Sequence, residues 1–298
     1  MVQVDAGFAV LALGVLINGV EADCLSVADR GLQYGDGLFE TLAVCGGTPC
    51  LWRRHFDRLA RGAECLGIPC PQPELLWREC RRLIGSETVG VVKIILTRGN
   101  GGRGYGPPEN PRPLRILTLH PWPDYPKAWG ERGVDVIFCR TPLGENPVLA
   151  GLKHLNRLEQ VLARAEWWDP GVAEGLMQDG RGRVIGGTRS NLFLVHDNRL
   201  LTPRLDTCGI AGTVRDVVLH LAGTFGLEVL ERDLRRADLV AADGLFLTNA
   251  LIGVWPVQRL GAREIGLKHL PSELIAAVRR VARLPDWKGE NDAGTVAG

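Results

Sequence analysis

Lysine is scarce in this chain, and two of its lysines lie in a repeated pentapeptide. The sequence GLKHL occurs at residues 151–155 and again at 266–270, which places Lys153 and Lys268 in the same local context. Arginine supplies almost all of the remaining positive charge. A lysine amine can attack an aldehyde and form an imine, which a guanidinium cannot do. The sequence therefore indicates these two lysines as candidates for nucleophilic chemistry.

The residues that follow each copy distinguish the two lysines. Lys268 stands just before Leu270-Pro271-Ser272, which predicts a loop ahead of a helix and an amine exposed to water. Lys153 precedes a predicted helix at 154–168, whose apolar residues recur at helical spacing. An amine at the head of such a packed helix is partly desolvated, which lowers its pKa and makes it a better nucleophile and proton carrier. Lys153 is therefore the candidate catalytic residue.

Predicted strands and helices alternate along the chain, which indicates an α/β fold class with α+β character. Short β-branched or apolar runs predict strands, and apolar residues three or four apart predict helices. Such alternation is typical of sheets that are covered by helices. The predicted strands cover 15–17, 91–96, 114–119, 134–138, 192–195 and 245–247, with another around 176, and the predicted helices cover 51–67, 154–168 and 214–225, with a last one after 271.

A proline-rich segment, PWPDYP at 121–126, divides the chain because proline fixes φ and donates no backbone hydrogen bond. We predict a smaller N-terminal α/β domain at 1–120, an interdomain linker at 121–128, and a larger C-terminal domain at 129–285 that carries the candidate lysine. The tail at 286–298 is polar and rich in glycine, so we expect it to be disordered.

Composition indicates a protein that acts on a small molecule. The 298 residues are 45% hydrophobic and 23% charged, and the formal net charge of +1 provides no field to attract nucleic acid or an anionic membrane. The apolar stretch at 8–17 is too short to span a bilayer and has no basic residue before it. Eight cysteines form no CxxC pair and six histidines form no HExxH motif, so we predict reduced thiols, no metal site and a cytoplasmic location.

The segment around the candidate lysine resembles a known family. GLKHLNRLEQVL at 151–162 is similar to the cofactor-lysine segment of the aminodeoxychorismate lyases, which are pyridoxal-phosphate enzymes of fold type IV, related to branched-chain and D-amino acid aminotransferases. The resemblance extends from about residue 17 to 257. Its other segments, in the same order as in the family, are SVADRGLQYGDGLFE at 26–40, HFDRL at 55–59, TRGNGGRGY at 97–105, NLF at 191–193, GIAGTVR at 209–215 and TNA at 248–250.

The resemblance implies a fold, a cofactor and the residues that hold it. It implies the two-domain fold of the D-amino acid aminotransferase-like enzymes, with pyridoxal 5'-phosphate as cofactor and a homodimer as the assembly. Lys153 would hold the cofactor's aldehyde and then move protons as base and acid. The cofactor's phosphate would be bound by the Arg58 guanidinium and by backbone N–H groups where a helix begins. The residues implied for the helix start and for a second phosphate-binding loop are Thr213, Val214, Asn249 and Ala250.

The resemblance also implies a reaction and the residues that bind its substrate. The lyases convert 4-amino-4-deoxychorismate into 4-aminobenzoate and pyruvate, a step of folate biosynthesis. Arg103 would bind a carboxylate of this dianionic substrate, and Tyr105 would form a wall or donate a hydrogen bond near it. Glu40, at a position where some lyases have threonine, is implied as a further substrate contact.

One residue departs from the family pattern and leaves two alternatives open. Gly186 occupies the position where fold type IV enzymes usually have a glutamate against the pyridine nitrogen, so the cofactor ring is expected to accept electrons less readily. The lyase elimination yields an aromatic product and depends less on that carboxylate than transamination does. We therefore expect a lyase. The alternatives are a branched-chain or D-amino acid aminotransferase and a cofactor-binding homologue with impaired catalysis.

Overall fold

A computed structural model describes residues 12–284, and its N-terminal part is an antiparallel sheet covered by two helices. The sheet has six strands in the order β2-β1-β6-β5-β3-β4, and every neighbouring pair is antiparallel. Its elements are β1 (Gly14–Ile17), β2 (Val20–Glu21), α1 (Arg30–Tyr34), β3 (Gly37–Cys45), β4 (Thr48–Pro49), α2 (Trp52–Leu66), α3 (Pro73–Ile84), β5 (Val89–Thr97) and β6 (Leu114–His120).

The alternation of side chains along β3 determines which of its residues face the helices. Leu38 and Leu42 are buried in the same core cluster as Leu59 of α2 and Leu76 of α3. Successive strand residues point to opposite faces of a sheet, so Glu40 points the same way as its two leucine neighbours, towards α2. Phe39 and Thr41 point to the other face, and that face borders the cavity described below.

The C-terminal part is a mixed sheet of nine strands. The order is β12-β11-β10-β13-β14-β7-β8-β9, with β15 paired to β14. β7 and β8 are parallel and are connected through α5, while β11 and β12 are parallel and are connected through α6, as parallel pairs require a crossover. The elements are α4 (Lys127–Arg132), β7 (Val134–Phe138), α5 (Leu158–Arg164), β8 (Val172–Gln178), β9 (Val184–Gly187), β10 (Asn191–His196), β11 (Arg199–Pro203), α6 (Thr213–Ala222), a 3-10 turn (Gly223–Phe225), β12 (Val229–Arg232), α7 (Arg236–Ala241), β13 (Gly244–Asn249), β14 (Gly253–Leu260), β15 (Arg263–Glu264) and α8 (Ser272–Ala282).

Each face of this second sheet is packed against a separate apolar cluster. One cluster contains Leu192, Leu245 and Trp255. The other contains Phe193 and Phe246, whose rings are stacked with centroids 5.0 Å apart, together with residues of α6 and α8. Adjacent residues of β10 and β13 thus belong to different clusters, because both strands are buried on both sides. The resulting sheet provides a rigid base for the loops at its edge.

Most predicted strands are confirmed, but the helix predicted at 154–168 is wrong at its N-terminal end. α5 begins only at Leu158 and ends at Arg164. The residues before it instead pair with β3, since the Phe39 N–H donates to the Lys153 carbonyl at 2.9 Å and the Leu155 N–H donates to the Gly37 carbonyl at 3.0 Å. These non-local backbone bonds outweigh the helical pattern of the local sequence.

Other predictions remain untested or lie outside the described residues. The proline-rich segment connects β6, which ends at His120, to α4, but the proposed domain boundaries themselves stay predictions. The tail predicted at 286–298 lies outside the described residues. Within residues 12–284, no helix combines the length and apolar character that a bilayer span requires.

Candidate active site

A cavity of about 310 Å³ lies between the two sheets and brings together residues from distant parts of the sequence. Phe39 and Arg58 border it from the N-terminal part, and Thr213 and Asn249 border it from the C-terminal part. Lys153 lies on its wall. Sites of this kind, where mainly apolar walls carry a few convergent polar groups, commonly bind small ligands. The cavity therefore contains most of the residues that the sequence indicated.

The Lys153 amine is held in surroundings that favour its neutral form. Its Nζ lies 4.1 Å from the centroid of the Phe39 ring, and its carbonyl accepts the Phe39 N–H. Burial lowers the pKa of the amine from 10.5 to about 7, and the nearby Arg58 cation acts in the same direction. A group whose pKa lies near neutrality can both accept and donate a proton under physiological conditions. Lys153 does not stand directly at the head of a packed helix, as predicted, because α5 begins only at Leu158. Its amine is nevertheless desolvated, as predicted.

Arg58 is positioned by a buried carboxylate behind the cavity. Its Nε donates to Glu40 Oε1 at 2.8 Å, its Nη2 donates to Glu40 Oε2 at 2.5 Å, and its Nη1 donates to the Ala211 carbonyl at 2.9 Å. His55, one turn earlier on α2, contacts Glu40 Oε2 through Nδ1 at 2.6 Å. A guanidinium has five N–H groups, so two remain to bind an anion in the cavity.

The expectation that Glu40 contacts a substrate is corrected by this arrangement. Its side chain is only 1% exposed, and both oxygens accept hydrogen bonds from α2. Burial raises the pKa of Glu40, but the Arg58 cation and the hydrogen bonds from Arg58 and His55 outweigh it and hold the pKa at about 2, so the carboxylate stays charged. Since Glu40 points to the helix side of β3, it orients Arg58 and does not border the cavity.

Backbone N–H groups from two loops border the cavity near Arg58. α6 begins at Thr213, and its N-cap residue Gly212 has no side chain to bind the N–H groups of the first turn. Those groups have no acceptor within the helix and carry the positive end of its dipole. Val214 follows in the first turn, with its side chain in the apolar core. The start of α6 can therefore bind an anion through its backbone.

The turn after β13 provides a second backbone surface on the cavity. Asn249 and Ala250 both border it. The Asn249 side chain is already used, since its Oδ1 accepts the N–H groups of Leu251 at 2.8 Å and Ile252 at 2.9 Å, and its Nδ2 donates to the Arg189 carbonyl at 3.2 Å. The side chain thus shapes the turn, and ligand contacts from this turn must come mainly from the backbone.

Arg103 and Tyr105 do not reach the cavity of their own chain. Both are exposed, and Tyr105 is 85% exposed. Their loop is held at the surface by the buried Arg30, whose guanidinium donates to the carbonyls of Gly104, Tyr105 and Gly106 at 2.9–3.2 Å. The structure therefore gathers the predicted cofactor residues but separates these two predicted substrate residues from them.

Gly186 borders the cavity at a point where the backbone leaves no room for a side chain. A Cβ atom built on Gly186 would lie 2.8 Å from the carbonyl oxygen of Ser190, across the turn between β9 and β10. Contacts that close do not occur for real Cβ atoms, and a backbone atom cannot simply rotate away. The backbone of this turn therefore leaves no room for a carboxylate side chain at position 186.

The sequence reasoning missed two arginines of the cavity. Arg157 and Arg189 border it together with Arg58 and Lys153, whereas no aspartate or glutamate does so among the described residues. Arg157 lies within the quoted lysine segment, four residues after Lys153, and that proximity could have identified it. Nothing in the local sequence identified Arg189. The charged side chains that line the cavity are therefore all basic in the described part of the chain, which favours a ligand with several negative charges.

The cavity between the two sheets thus contains a lysine amine whose pKa is near 7, next to groups that can bind an anion. A sequence model of the family described as amino-transferase class IV matches residues 37–260, a range that includes every cavity residue named above. The chain belongs to this family. The expected fold type IV architecture is thereby confirmed.

Individual relatives are similar over most of the chain. An aminodeoxychorismate lyase from Vibrio harveyi is 38% identical over 83% of this chain and 92% of its own length. The crystal structure of a 4-amino-4-deoxychorismate lyase from Pseudomonas aeruginosa has 48% identity and a TM-score of 0.86, covering 89% of this chain and 98% of that one. A hypothetical aminotransferase from Mycobacterium tuberculosis, solved with pyridoxal phosphate bound, has 25% identity and a TM-score of 0.77, covering 90% and 98%.

Proposed function

We propose that this protein is a pyridoxal-phosphate-dependent lyase that converts 4-amino-4-deoxychorismate into 4-aminobenzoate and pyruvate, a step of folate biosynthesis. The observation that carries the proposal is the Lys153 amine, which has a pKa of about 7 and lies on a cavity where Arg58, Arg157 and Arg189 are the other charged side chains among the described residues. Similarity to the Vibrio and Pseudomonas lyases supports the same reaction.

The residues present fit the cofactor. Lys153 would hold its aldehyde, and the two free N–H groups of Arg58 would bind its phosphate together with the first-turn N–H groups of Thr213 and Val214. The backbone of Asn249 and Ala250 would complete the phosphate site. When bound, the cofactor supplies an aldehyde for the substrate amine and a conjugated ring that accepts electrons from the neighbouring carbon.

Lys153 then carries the proton transfers of the elimination. Its Nζ takes the proton from the substrate carbon that bears the amine, and the carbon–oxygen bond of the enolpyruvyl ether breaks with its electron pair passing to oxygen. The protonated amine can return a proton to the departing group, which becomes pyruvate. A pKa of about 7 suits a group that must act as base and then as acid.

Gly186 favours the lyase over an aminotransferase. The close approach of the Ser190 carbonyl excludes a carboxylate at this position, and no aspartate or glutamate within residues 12–284 borders the cavity to pair with the ring of the cofactor. An elimination that forms an aromatic ring has its own driving force, whereas transamination has none and depends more on the acceptor ring. The same observation motivates the impaired homologue as an alternative.

Product assays separate these three functions. Purified protein saturated with cofactor is incubated with 4-amino-4-deoxychorismate, and 4-aminobenzoate and pyruvate are quantified. We expect equal amounts of the two products and no amino acid formed from a keto acid. Catalytic formation of glutamate or alanine without 4-aminobenzoate would establish the aminotransferase, and cofactor binding without any turnover would establish the impaired homologue.

We further infer a homodimer with the active sites close to the subunit interface. α5 lies just beyond Lys153, yet Leu158, Val161 and Leu162 are each more than half exposed, a cluster of apolar side chains that a monomer would leave in water. Arg103 and Tyr105 also extend into solvent, away from the cavity of their own chain. We assign this loop to the cavity of the second subunit, where it would contact substrate.

Mixed dimers test this assignment. Lys153→Ala and Arg103→Ala subunits are each expected to be inactive alone. After the two are mixed and allowed to exchange subunits, about half of the dimers would be hybrid, each with one intact site, so activity should return to about one quarter of the wild-type value. No recovery despite demonstrated exchange would place Arg103 in the cavity of its own subunit or remove it from the site.

A cytoplasmic location is part of the same proposal. All eight cysteines are free thiols, and three of them, Cys80, Cys139 and Cys208, are buried among apolar side chains. Such thiols persist where the surroundings are reducing. Fractionation of cells that express the protein, with thiol labelling of each fraction, tests this location.

A further inference from the structure

We propose that Arg189 is the residue that binds a carboxylate of the substrate at the mouth of the cavity, and that it thereby selects dianionic over monoanionic substrates. This inference rests on the proposed lyase function and gives the dianionic substrate a second carboxylate-binding arginine besides Arg103.

The Arg189 guanidinium lies at ion-pair distance from one carboxylate but makes no hydrogen bond to it. Arg58 is paired with Glu40, and Arg157 contacts His154. The carboxylate nearest to Arg189 is Glu174, whose Oε2 lies 4.0 Å from Nε. That carboxylate already accepts five hydrogen bonds, three from backbone N–H groups and two from the hydroxyls of Thr188 at 2.6 Å and Ser190 at 2.8 Å. The Glu174 oxygens are therefore occupied by other donors, and the Arg189 guanidinium keeps N–H groups that can bind a ligand in the cavity.

The turn that carries Arg189 is fixed before any ligand binds. The buried Glu174 carboxylate accepts the N–H of Thr188 at 3.0 Å and the N–H of Arg189 at 3.3 Å. On its other side, the Arg189 carbonyl accepts Asn249 Nδ2, which ties the turn to the loop after β13. The Gly187 N–H and the Ser190 carbonyl close the turn at 2.8 Å. A receptor that is held in place in this way loses little conformational freedom on binding.

The guanidinium itself is oriented but not saturated. Nη1 donates to the Tyr125 hydroxyl at 3.0 Å and Nη2 donates to the Ala173 carbonyl at 3.1 Å, which leaves three of its five N–H groups without an acceptor among the described residues. Its carbon atom Cζ lies 5.2 Å from the Tyr125 ring centroid and 5.7 Å from that of Trp255. The side chain is 41% exposed and borders the cavity. Planar N–H pairs of this kind match a carboxylate.

The test compares two variants with a matched control. Arg189→Gln removes the charge but keeps much of the length, and Arg189→Lys keeps the charge but loses the planar donor pair. Arg199→Gln is the control, because Arg199 is an exposed arginine on β11 that pairs with Glu228 at 3.0 Å, and it does not border the cavity. Each cofactor-loaded variant is assayed for kcat and KM, for cofactor affinity, and for binding of isophthalate and benzoate by calorimetry.

We expect Arg189→Gln to lower kcat/KM by roughly 10- to 100-fold, mainly through KM, because a charge-assisted hydrogen bond to the substrate is lost. The preference for isophthalate over benzoate should fall by a similar factor, with partial recovery in Arg189→Lys. Cofactor affinity and melting temperature should match those of Arg199→Gln. Unchanged KM and unchanged isophthalate preference would overturn the inference.

Two further outcomes also contradict it. A loss of cofactor affinity would place Arg189 at the phosphate, and an equal weakening of both probes with a lowered melting temperature would make it a support for Tyr125 and the turn. The wild-type assay separates this inference from the proposed function: if the wild type lacks lyase turnover, the proposed function fails, while the isophthalate preference still measures the role of Arg189.

Discussion

The ion pair behind the cavity allows a quantitative prediction about stability. Glu40→Gln keeps the shape of the side chain but removes the negative charge that faces Arg58 and His55. The Arg58 side chain is largely buried, so its cation would be left without compensation in a site that water cannot readily reach. We therefore expect the variant to fold less stably and to bind the cofactor's phosphate less well, because Arg58 loses the partner that orients it.

The magnitude follows from the pKa of the carboxyl group. Against the effect of burial, Arg58 and the hydrogen bond from His55 lower the pKa of Glu40 from 4.5 to about 2, and at about 1.4 kcal/mol for each pH unit this corresponds to about 3–4 kcal/mol of folding free energy. Because the folded pKa lies below the unfolded one, this contribution is fully present above pH 4.5 and is lost as the pH falls from 4.5 towards 2. Removal of one partner from a buried ion pair elsewhere costs about 3–5 kcal/mol, which agrees with this value.

Urea unfolding of the cofactor-free protein, followed by circular dichroism at fixed protein concentration, measures the loss. Glu228→Gln is the control, because Glu228 and its partner Arg199 are both more than half exposed, and such a pair contributes less than about 1 kcal/mol. The deficit of Glu40→Gln relative to wild type should not shrink as the pH falls from 8 to 5, because loss of Glu40 also lowers the pKa values of the buried His55 and Lys153 further. If the loss of unfolding free energy in Glu40→Gln is no larger than in Glu228→Gln, or if it already shrinks near pH 6, Glu40 and Arg58 do not form a stabilising charged pair.

Two further predictions concern the cavity wall. Lys153→Met should raise the free energy of unfolding of the cofactor-free protein at pH 7 by on the order of 2–4 kcal/mol, because burial lowers the pKa of the amine from 10.5 to about 7. This gain should shrink as the pH rises from 7 to 10.5 in urea titrations, and its absence at pH 7 would mean that the amine is not desolvated. Gly186→Ala should lower the unfolding free energy by about 1–3 kcal/mol, since its Cβ meets the Ser190 carbonyl, whereas Gly223→Ala, which meets no atom within 4 Å, should not. Equal melting temperatures for these two variants would contradict the close approach at Gly186.

The sequence predicted elements well where local pattern and tertiary context agree. The strand at Val134–Phe138 and the helix over 51–67 were recovered because their apolar residues face a core that the same periodicity anticipates. The turn between β1 and β2 follows the same local rule, since Asn18 and Gly19 both adopt the positive φ values that this dipeptide tolerates. The segment after Lys153 failed because its backbone bonds to β3, and no local signal encodes that pairing.

The site shows the same division between local and non-local information. Family-like segments pointed to Lys153, to Arg58 and to the loops around them, and these residues meet at one cavity. Glu40 was misassigned, although the alternation of Leu38, Glu40 and Leu42 against Phe39 and Thr41 indicates the helix-facing side of the strand. Arg189 was missed because its position at the mouth depends on Glu174 and Asn249, which are distant in sequence.

Reductive trapping tests the central claim most directly. The cofactor-saturated protein is treated with borohydride, digested and mapped by mass spectrometry, with Lys153→Ala and Lys268→Ala as paired controls. The account predicts a single pyridoxyl adduct on Lys153, which is lost in Lys153→Ala and retained in Lys268→Ala. An adduct on Lys268, or no adduct in saturated protein, would mean that Lys153 does not hold the cofactor, and the proposed lyase mechanism would be wrong.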